Sequence, residues 1–196
     1  MEIAPVTLEG QHVRLTPMSE DYIDDLWRVH GDGSLTQWYA NPIADYNGMV
    51  KYVRAALQDQ ASGKSTPFIT WDKATGQLAG STRLTNIDVR HRRTEIGSTW
   101  LGEPWQRTAL NTEAKLLMLT HAFEVWNCLR VELLTDVLNL KSRQAIARLG
   151  AVEEGIFRNH YVCASGRIRD SVCFSIIDRE WPDVKARLIE RLSRPS

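Results

Sequence analysis

The 196-residue chain is long enough to bury a sizeable core but short for two independent units, so one domain over 1–196 is expected. Its 24 basic and 24 acidic residues cancel, which excludes the broad electrostatic attraction that nucleic acids and anionic membranes exploit. Cys128, Cys163 and Cys173 are odd in number and lack CxxC spacing. They argue against a disulfide framework and a thiolate zinc site, and for a reducing cytoplasm with no bound metal.

Met1-Glu2-Ile3-Ala4-Pro5 lacks a basic region followed by an apolar core, and no apolar run approaches the ~20 residues of a membrane span. A soluble, unprocessed protein is expected. Val13-Arg14-Leu15-Thr16 alternates as a strand, and Ser19 then caps a helical stretch holding Tyr22, Ile23, Leu26 and Trp27 that Gly31 and Gly33 end. After the aromatic loop Leu35-Thr36-Gln37-Trp38-Tyr39, a second helix is predicted from Asp45 to about Gln60, with Met49, Val50, Val53, Ala56 and Leu57 at helical spacing.

Phe68-Ile69-Thr70-Trp71 and 78–84 read as a hairpin around the turn at 72–76, and a strand at 95–101 follows the charged turn 88–93. Such short connections favour antiparallel neighbours. Next comes Trp105-Gln106-Arg107-Thr108-Ala109-Leu110-Asn111-Thr112-Glu113-Ala114, a turn that feeds a long helix. A helix start offers several N–H groups without intrahelical partners and the positive end of the dipole, so a pyrophosphate would be held there. The plainer reading makes Thr112 an N-cap for Glu113 onward; neither a P-loop nor a G-x-G-x-x-G motif is present.

The helix that follows carries Leu117, Met118, His121, Ala122 and Val125 on one side and Leu116, Leu119, Phe123 and Trp126 on another, and is expected to be buried on both. A strand at 131–135, a helix at 140–149 ended by Gly150, strands at 151–156 and 168–177, and a helix at 180–192 complete the chain. The strand-helix-strand order implies a parallel pair. The fold class is α+β, a mixed and mostly antiparallel sheet with a parallel pair, flanked by helices.

This order of elements, the turn at 106–111, Asn139-Leu140-Lys141-Ser142 and Arg148-Leu149-Gly150-Ala151 together resemble the GCN5-related N-acetyltransferases, specifically the ribosomal-protein N-acetyltransferase (RimJ/RimL-like) branch. The resemblance spans nearly the whole chain and implies acetyl transfer from acetyl-CoA to a primary amine by direct attack in a ternary complex. It implies that the strand bearing Ile96, Gly97, Ser98, Trp100 and Leu101 splays from its parallel neighbour and binds the pantetheine arm through its backbone. An N–H near Ile96 to Ser98 would polarise the thioester carbonyl. The turn Gln106, Arg107, Thr108, Ala109, Leu110, Asn111 and Thr112 would hold the pyrophosphate. Asn139 would contact pantetheine and Ser142 would protonate the departing thiolate, a role compatible with Asn139 also capping the helix.

Other assignments stay open. Glu95 and His160 are the candidates for deprotonating the amine, whose pKa near ~10 requires a base. Trp38, Tyr39 and Tyr161 are candidates for lining the acceptor pocket. The basic turn Arg90-His91-Arg92-Arg93 is a candidate for attracting an acidic acceptor or the coenzyme's 3′-phosphate, or is a solvated turn. The family prefers glycine where Ala109 and Asn111 stand. Asn tolerates left-handed backbone, whereas the Ala109 methyl narrows the approach of phosphate. An N-terminal peptide amine is the first choice of acceptor and a small-molecule amine the second. The alternative function is a non-catalytic acyl-CoA-binding sensor. Oligomeric state, a homodimer included, is not legible.

Overall fold

The computed structural model describes residues 1–194; Pro195 and Ser196, which the one-domain expectation includes, lie outside the described residues. All eight strands join one sheet in the order β1-β2-β3-β4-β5-β6-β8-β7. These strands are β1 (Leu8–Glu9), β2 (Val13–Pro17), β3 (Thr66–Asp72), β4 (Leu78–Asp88), β5 (Arg93–Leu101), β6 (Arg130–Asp136), β7 (Val152–Val162) and β8 (Ile168–Ile177). Every neighbouring pair is antiparallel except β5 and β6, which pair in parallel. The helices are α1 (Ile23–His30), α2 (Tyr46–Ala61), α3 (Ala109–Thr120), α4 (Leu140–Ala147) and α5 (Trp181–Ser193).

The helices divide between the sheet's two faces because alternate strand residues point to opposite sides. Met18, Ile23, Leu26, Met49 and Val53 pack under α1 and α2 against Ile69, Leu78 and Trp100. On the opposite face Phe68, Leu84, Ile96, Val131, Leu133 and Phe174 meet Met118 and Leu119 of α3, Ile146 of α4, and Val184 and Leu188 of α5. Asp45 caps α2 by accepting from Gly48 N–H at 2.6 Å, and Ser19 caps the turn before α1. The Ser19 cap stands where the sequence places it, while Asp45, expected as the first residue of the second helix, is its N-cap and the helix starts at Tyr46.

Three expectations about α3 are corrected. Thr108, and not Thr112, is its N-cap: the helix begins four residues earlier, with the Thr108 hydroxyl accepting from Leu110 N–H. The helix is not buried on both sides along its length, since Val125 is 60% exposed. It also does not continue regularly; His121–Val125 form a π-turn closed by Trp126 N–H on the His121 carbonyl. A further difference is that β7 runs on to Val162, beyond the six residues predicted.

The start of α3 is welded to the β1–β2 turn. The Glu113 carboxylate accepts from the backbone N–H groups of Gln11, His12 and Val13 at 2.8, 2.6 and 2.7 Å. Gly10 permits this approach, because a Cβ there would lie 2.4 Å from the Glu113 carboxyl carbon.

Candidate active site

The parallel pairing of β5 with β6 covers three positions only, ending at Glu95 opposite Glu132, although β5 continues to Leu101 and β6 to Asp136. Beyond Glu95 the strands therefore part. Ile96, Gly97, Ser98, Trp100 and Leu101 all lie on the parted length of β5.

A β-bulge interrupts that length. Ser81 pairs with Trp100 and Arg83 with Gly97, so Thr82 alone faces both Ser98 and Thr99. Ser98 takes the left-handed backbone, with φ 49°. A bulge leaves its extra residue unpaired in the ladder, and this one lies in the strand segment where the resemblance implies the oxyanion contact. The bulge is held from both faces. Tyr52 of α2 donates its hydroxyl to the Ser98 carbonyl at 3.2 Å and shares a 2.8 Å hydrogen bond with Ser81. From the other face Lys115 of α3 donates to Thr99 at 2.7 Å and Thr82 at 3.3 Å. Burial pulls the Lys115 ammonium down from 10.5 to about 7.

At the mouth of the splay the chain leaves β5 through the turn before α3. Gln106 donates to the Leu101 carbonyl at 2.9 Å and accepts from Lys141 at 2.5 Å, which ties this turn to the first turn of α4. Asn139 caps α4, its side-chain oxygen accepting from Ser142 N–H at 3.1 Å. Two helix N-termini, with the positive ends of their dipoles, thus flank one cleft; at the start of α4 the Leu140 and Ser142 N–H groups are already held by the Leu138 carbonyl and the Asn139 side chain. The left-handed residue of the 105–112 turn is Arg107, φ 61°, while Ala109 and Asn111 are helical residues of α3. Neither departure from glycine therefore meets a demand for positive φ. The Asn111 side-chain oxygen is buried without a partner.

On the α1 and α2 side lie the acceptor candidates. His30 shares a 3.1 Å hydrogen bond with Thr36, whose hydroxyl also accepts from Ile43 N–H at 2.9 Å, so the end of α1 orders the aromatic loop. That loop docks on the β7–β8 hairpin: Ala164 N–H donates to the Ala40 carbonyl at 2.8 Å, and Arg169 donates to the Trp38 carbonyl at 3.1 Å. Trp38 thus meets the hairpin through its backbone. The Tyr39 hydroxyl is buried without a partner, and desolvation, with Tyr52 nearby, raises its pKa. Tyr161 is 44% exposed, under the Arg169 guanidinium at 5.4 Å.

Of the two base candidates, Glu95 stands at the fork of the splay, accepting from the Asn86 amide at 2.7 Å. Burial pushes its carboxyl up, and Glu132 adds to this. His160 packs against Phe157 and Tyr161 in the irregular stretch of β7, with Nδ1 buried and unpartnered; burial, then Arg169, lowers its pKa. Arg169 bears on both groups and on Tyr39. The basic turn at 90–93 stands at the other end of β5, roughly 25 Å from the Gln106 turn at ~3.3 Å per residue. Arg92 is spent on the Asn127 carbonyl, and Arg93 pairs with Asp88 and Glu132. This places the turn away from the cleft mouth.

Sequence reading missed Tyr52, Arg83, Lys115 and Arg169. For two of them the signal was present, as a lone cation inside an otherwise uncharged segment: Arg83 in Ala79-Gly80-Ser81-Thr82-Arg83-Leu84, and Lys115 in Ala114-Lys115-Leu116-Leu117. Among the described residues no group of three or more His, Cys, Asp or Glu is placed to hold a metal ion, and no helix is long and apolar enough to cross a membrane.

Comparison with known proteins matches residues 12–152 to the Acetyltransferase (GNAT) domain family. A 110-residue stretch is 34% identical to a Bacillus subtilis (strain 168) protein named "Putative ribosomal N-acetyltransferase YdaF", covering 56% of this chain and 59% of that protein's length. Spermidine N(1)-acetyltransferase of Escherichia coli (strain K12) is 22% identical over 170 residues, 86% of this chain and 88% of that one. The crystal structure of a GCN5-related N-acetyltransferase from Brucella melitensis is 32% identical and superposes with a TM-score of 0.88 over 97% of this chain and 86% of that chain.

Proposed function

Since the chain belongs to the GNAT acetyltransferase family, we propose that it moves the acetyl group of acetyl-CoA to a primary amine, a peptide N-terminus by first choice and a small-molecule amine by second. The observation that carries this reading is the parting of β5 from β6 beyond Glu95, with two helix starts bridged by Lys141 and Gln106 at its mouth. An opened pair of strands offers backbone donors and acceptors to an extended chain such as pantetheine, and helix N-termini suit its pyrophosphate.

The residues fit that group. The backbone of 96–101 would bind the pantetheine arm; the N–H groups from Arg107 to Thr112 would hold the pyrophosphate, and Asn139 the arm's amide. Bound there, acetyl-CoA supplies an activated thioester. The bulge donor near Ser98 then serves as the fixed dipole that offsets negative charge on the carbonyl oxygen. Glu95 receives the proton of the ammonium at its carboxylate, and its depressed acidity suits that task. Ser142 would give its hydroxyl proton to the leaving sulfur, and the second proton that the nitrogen sheds as the amide forms would restore the hydroxyl. Transfer is direct, without a covalent enzyme intermediate. Cys128, Cys163 and Cys173 are buried, and the reading gives none of them a role.

Calorimetric titration with acetyl-CoA, followed by thiol-release assays over peptide and small amines, tests the reading. Micromolar binding, about −8 kcal/mol, with amine-dependent thiol release supports it. Binding without turnover over the panel would leave a coenzyme sensor, and absence of binding would sink both.

A further inference from the structure

We infer that the acceptor carries an anionic group, a carboxylate in chemical class, which Arg83 and the Tyr39 hydroxyl receive beside the amine site. This rests on the acetyltransferase reading and deepens it. Arg83 is only 8% exposed, yet among the described residues no carboxylate lies within salt-bridge distance of its guanidinium. Its protein contacts are a 3.3 Å hydrogen bond from Nη2 to the Tyr52 carbonyl and a stack over the Tyr52 ring at 4.2 Å. Nε is buried with no partner. A guanidinium offers five donors, and burying it without a counter-charge is costly unless another group supplies one.

Its position says which group. Arg83 pairs across the ladder with Gly97, next to the bulge at Ser98, and the face it shares with Tyr52 is the acceptor side of β5. The Tyr39 hydroxyl, another buried donor without a partner, comes from the loop that packs on this side. Arg83 and Arg169 both bear on Tyr39 electrostatically. Glu95 lies on the same face two residues before Gly97, with Oε1 3.1 Å from where a Gly97 Cβ would stand. One carboxylate for the amine and a separate, unneutralised guanidinium fit an acceptor that is both amine and acid. They do not fit a polyamine, whose further positive charges would face Arg83 and Arg169. A free amino acid offers its α-carboxylate, and a peptide beginning with Asp or Glu offers its side chain.

The test uses the full chain saturated with CoA, titrated calorimetrically with free alanine, which carries the α-carboxylate alone, with an Asp-initiated tripeptide amide, which carries the side-chain carboxylate alone, with the Ala-initiated tripeptide amide and with spermidine, alongside acetyl-transfer rates from acetyl-CoA. At least one of the two carboxylate-bearing ligands is expected to bind and react about 100-fold better than the alanine peptide and spermidine, the scale of a charge-assisted hydrogen-bond pair. Which of the two does so identifies the source of the carboxylate. In Arg83→Met that preference collapses while CoA affinity stays; Arg83→Lys restores part of it, and Tyr39→Phe, which preserves the loop's packing, weakens it. Equal or better use of alanine peptide or spermidine overturns the inference and leaves the transferase reading standing. So does failure of both carboxylate ligands to bind a protein that binds CoA. Loss of CoA binding in the unmodified protein would instead strike the transferase reading itself.

Discussion

Glu95 and His160 are separated as bases by what each environment does to the proton. A base must be unprotonated to act, and burial raises the Glu95 pKa but lowers that of His160. If Glu95 takes the proton, kcat/KM rises with pH through an apparent pKa above the ordinary carboxylate value of about 4.3. Glu95→Gln is then expected to erase that acidic limb and to lower kcat by about 10²-fold or more. His160→Asn should leave the limb in place, because the imidazole sits in the irregular stretch of β7 against Phe157 and Tyr161. Rate profiles of both variants from pH 5 to 9 decide it: a limb that survives in Glu95→Gln and vanishes in His160→Asn assigns the role to His160. Ala109 is tested by coenzyme affinity. It is a helical residue behind the Thr108 cap, so Ala109→Gly gains no relief of left-handed strain. Its affinity for acetyl-CoA should change by less than about threefold, at a stability cost of about 0.5–1 kcal/mol for glycine in a helix.

At the scale of elements, the junction between α3 and the β1–β2 turn makes a coupled prediction. Gly10 has no positive φ, so Gly10→Ala tests contact and not backbone conformation. The new methyl would displace the Glu113 carboxylate from its three N–H donors. Glu113→Gln weakens the same bonds. Each change is expected to lower unfolding free energy by about 2–3 kcal/mol in urea, and the double variant by little more than either alone, because both break one set of bonds. Additive losses would show that the turn and the helix are held by other means. This junction was not legible in the sequence, since hydrogen bonds across roughly a hundred residues leave no local pattern. The Ser19 cap was legible because its partner, the Asp21 N–H, lies two residues on, and the start of α2 was placed within one residue. The site divides in the same way. Asn139 and Ser142 were singled out through the resemblance of Asn139-Leu140-Lys141-Ser142 to the family's pattern, and Glu95 through its place on the strand expected at 95–101, which starts two residues earlier at Arg93. Tyr52 and Arg169 act on the cleft from α2 and β8, and only the sheet order brings them there. The α3 start was misjudged because Thr108 and Thr112 are both competent caps. Tertiary packing of Leu110 and Glu113 selects the earlier one.

For the molecule as a whole, the sheet's middle strands are sandwiched between α1 and α2 on one face and α3 and α5 on the other, and this arrangement buries the Lys115 ammonium without a carboxylate partner among the described residues. It is 5% exposed, and its hydrogen-bond partners are the hydroxyls of Thr82 and Thr99. With a pKa of about 7 folded against 10.5 for the free side chain, its protonation couples to global unfolding. Below about pH 7 both states carry the proton and the burial penalty is present in full. Between about 7 and 10.5 the unfolded chain holds a proton that the folded chain does not, so stability from this group rises with pH. At about 1.4 kcal/mol for each tenfold change, the penalty at low pH is on the order of 5 kcal/mol, and the two hydroxyl bonds offset part of it. Lys115→Met removes the charge while keeping most of the volume. Its unfolding free energy should exceed that of the unmodified protein by several kcal/mol at pH 6 and by progressively less toward pH 10. Urea midpoints measured across that range check the trend, and a difference independent of pH would show that Lys115 does not titrate on unfolding. The more stable variant should also be the poorer catalyst. Lys115 holds the bulge that presents the strand at Ser98, and a thioether cannot bridge Thr82 to Thr99, so the stability is gained where the cleft needs its geometry fixed.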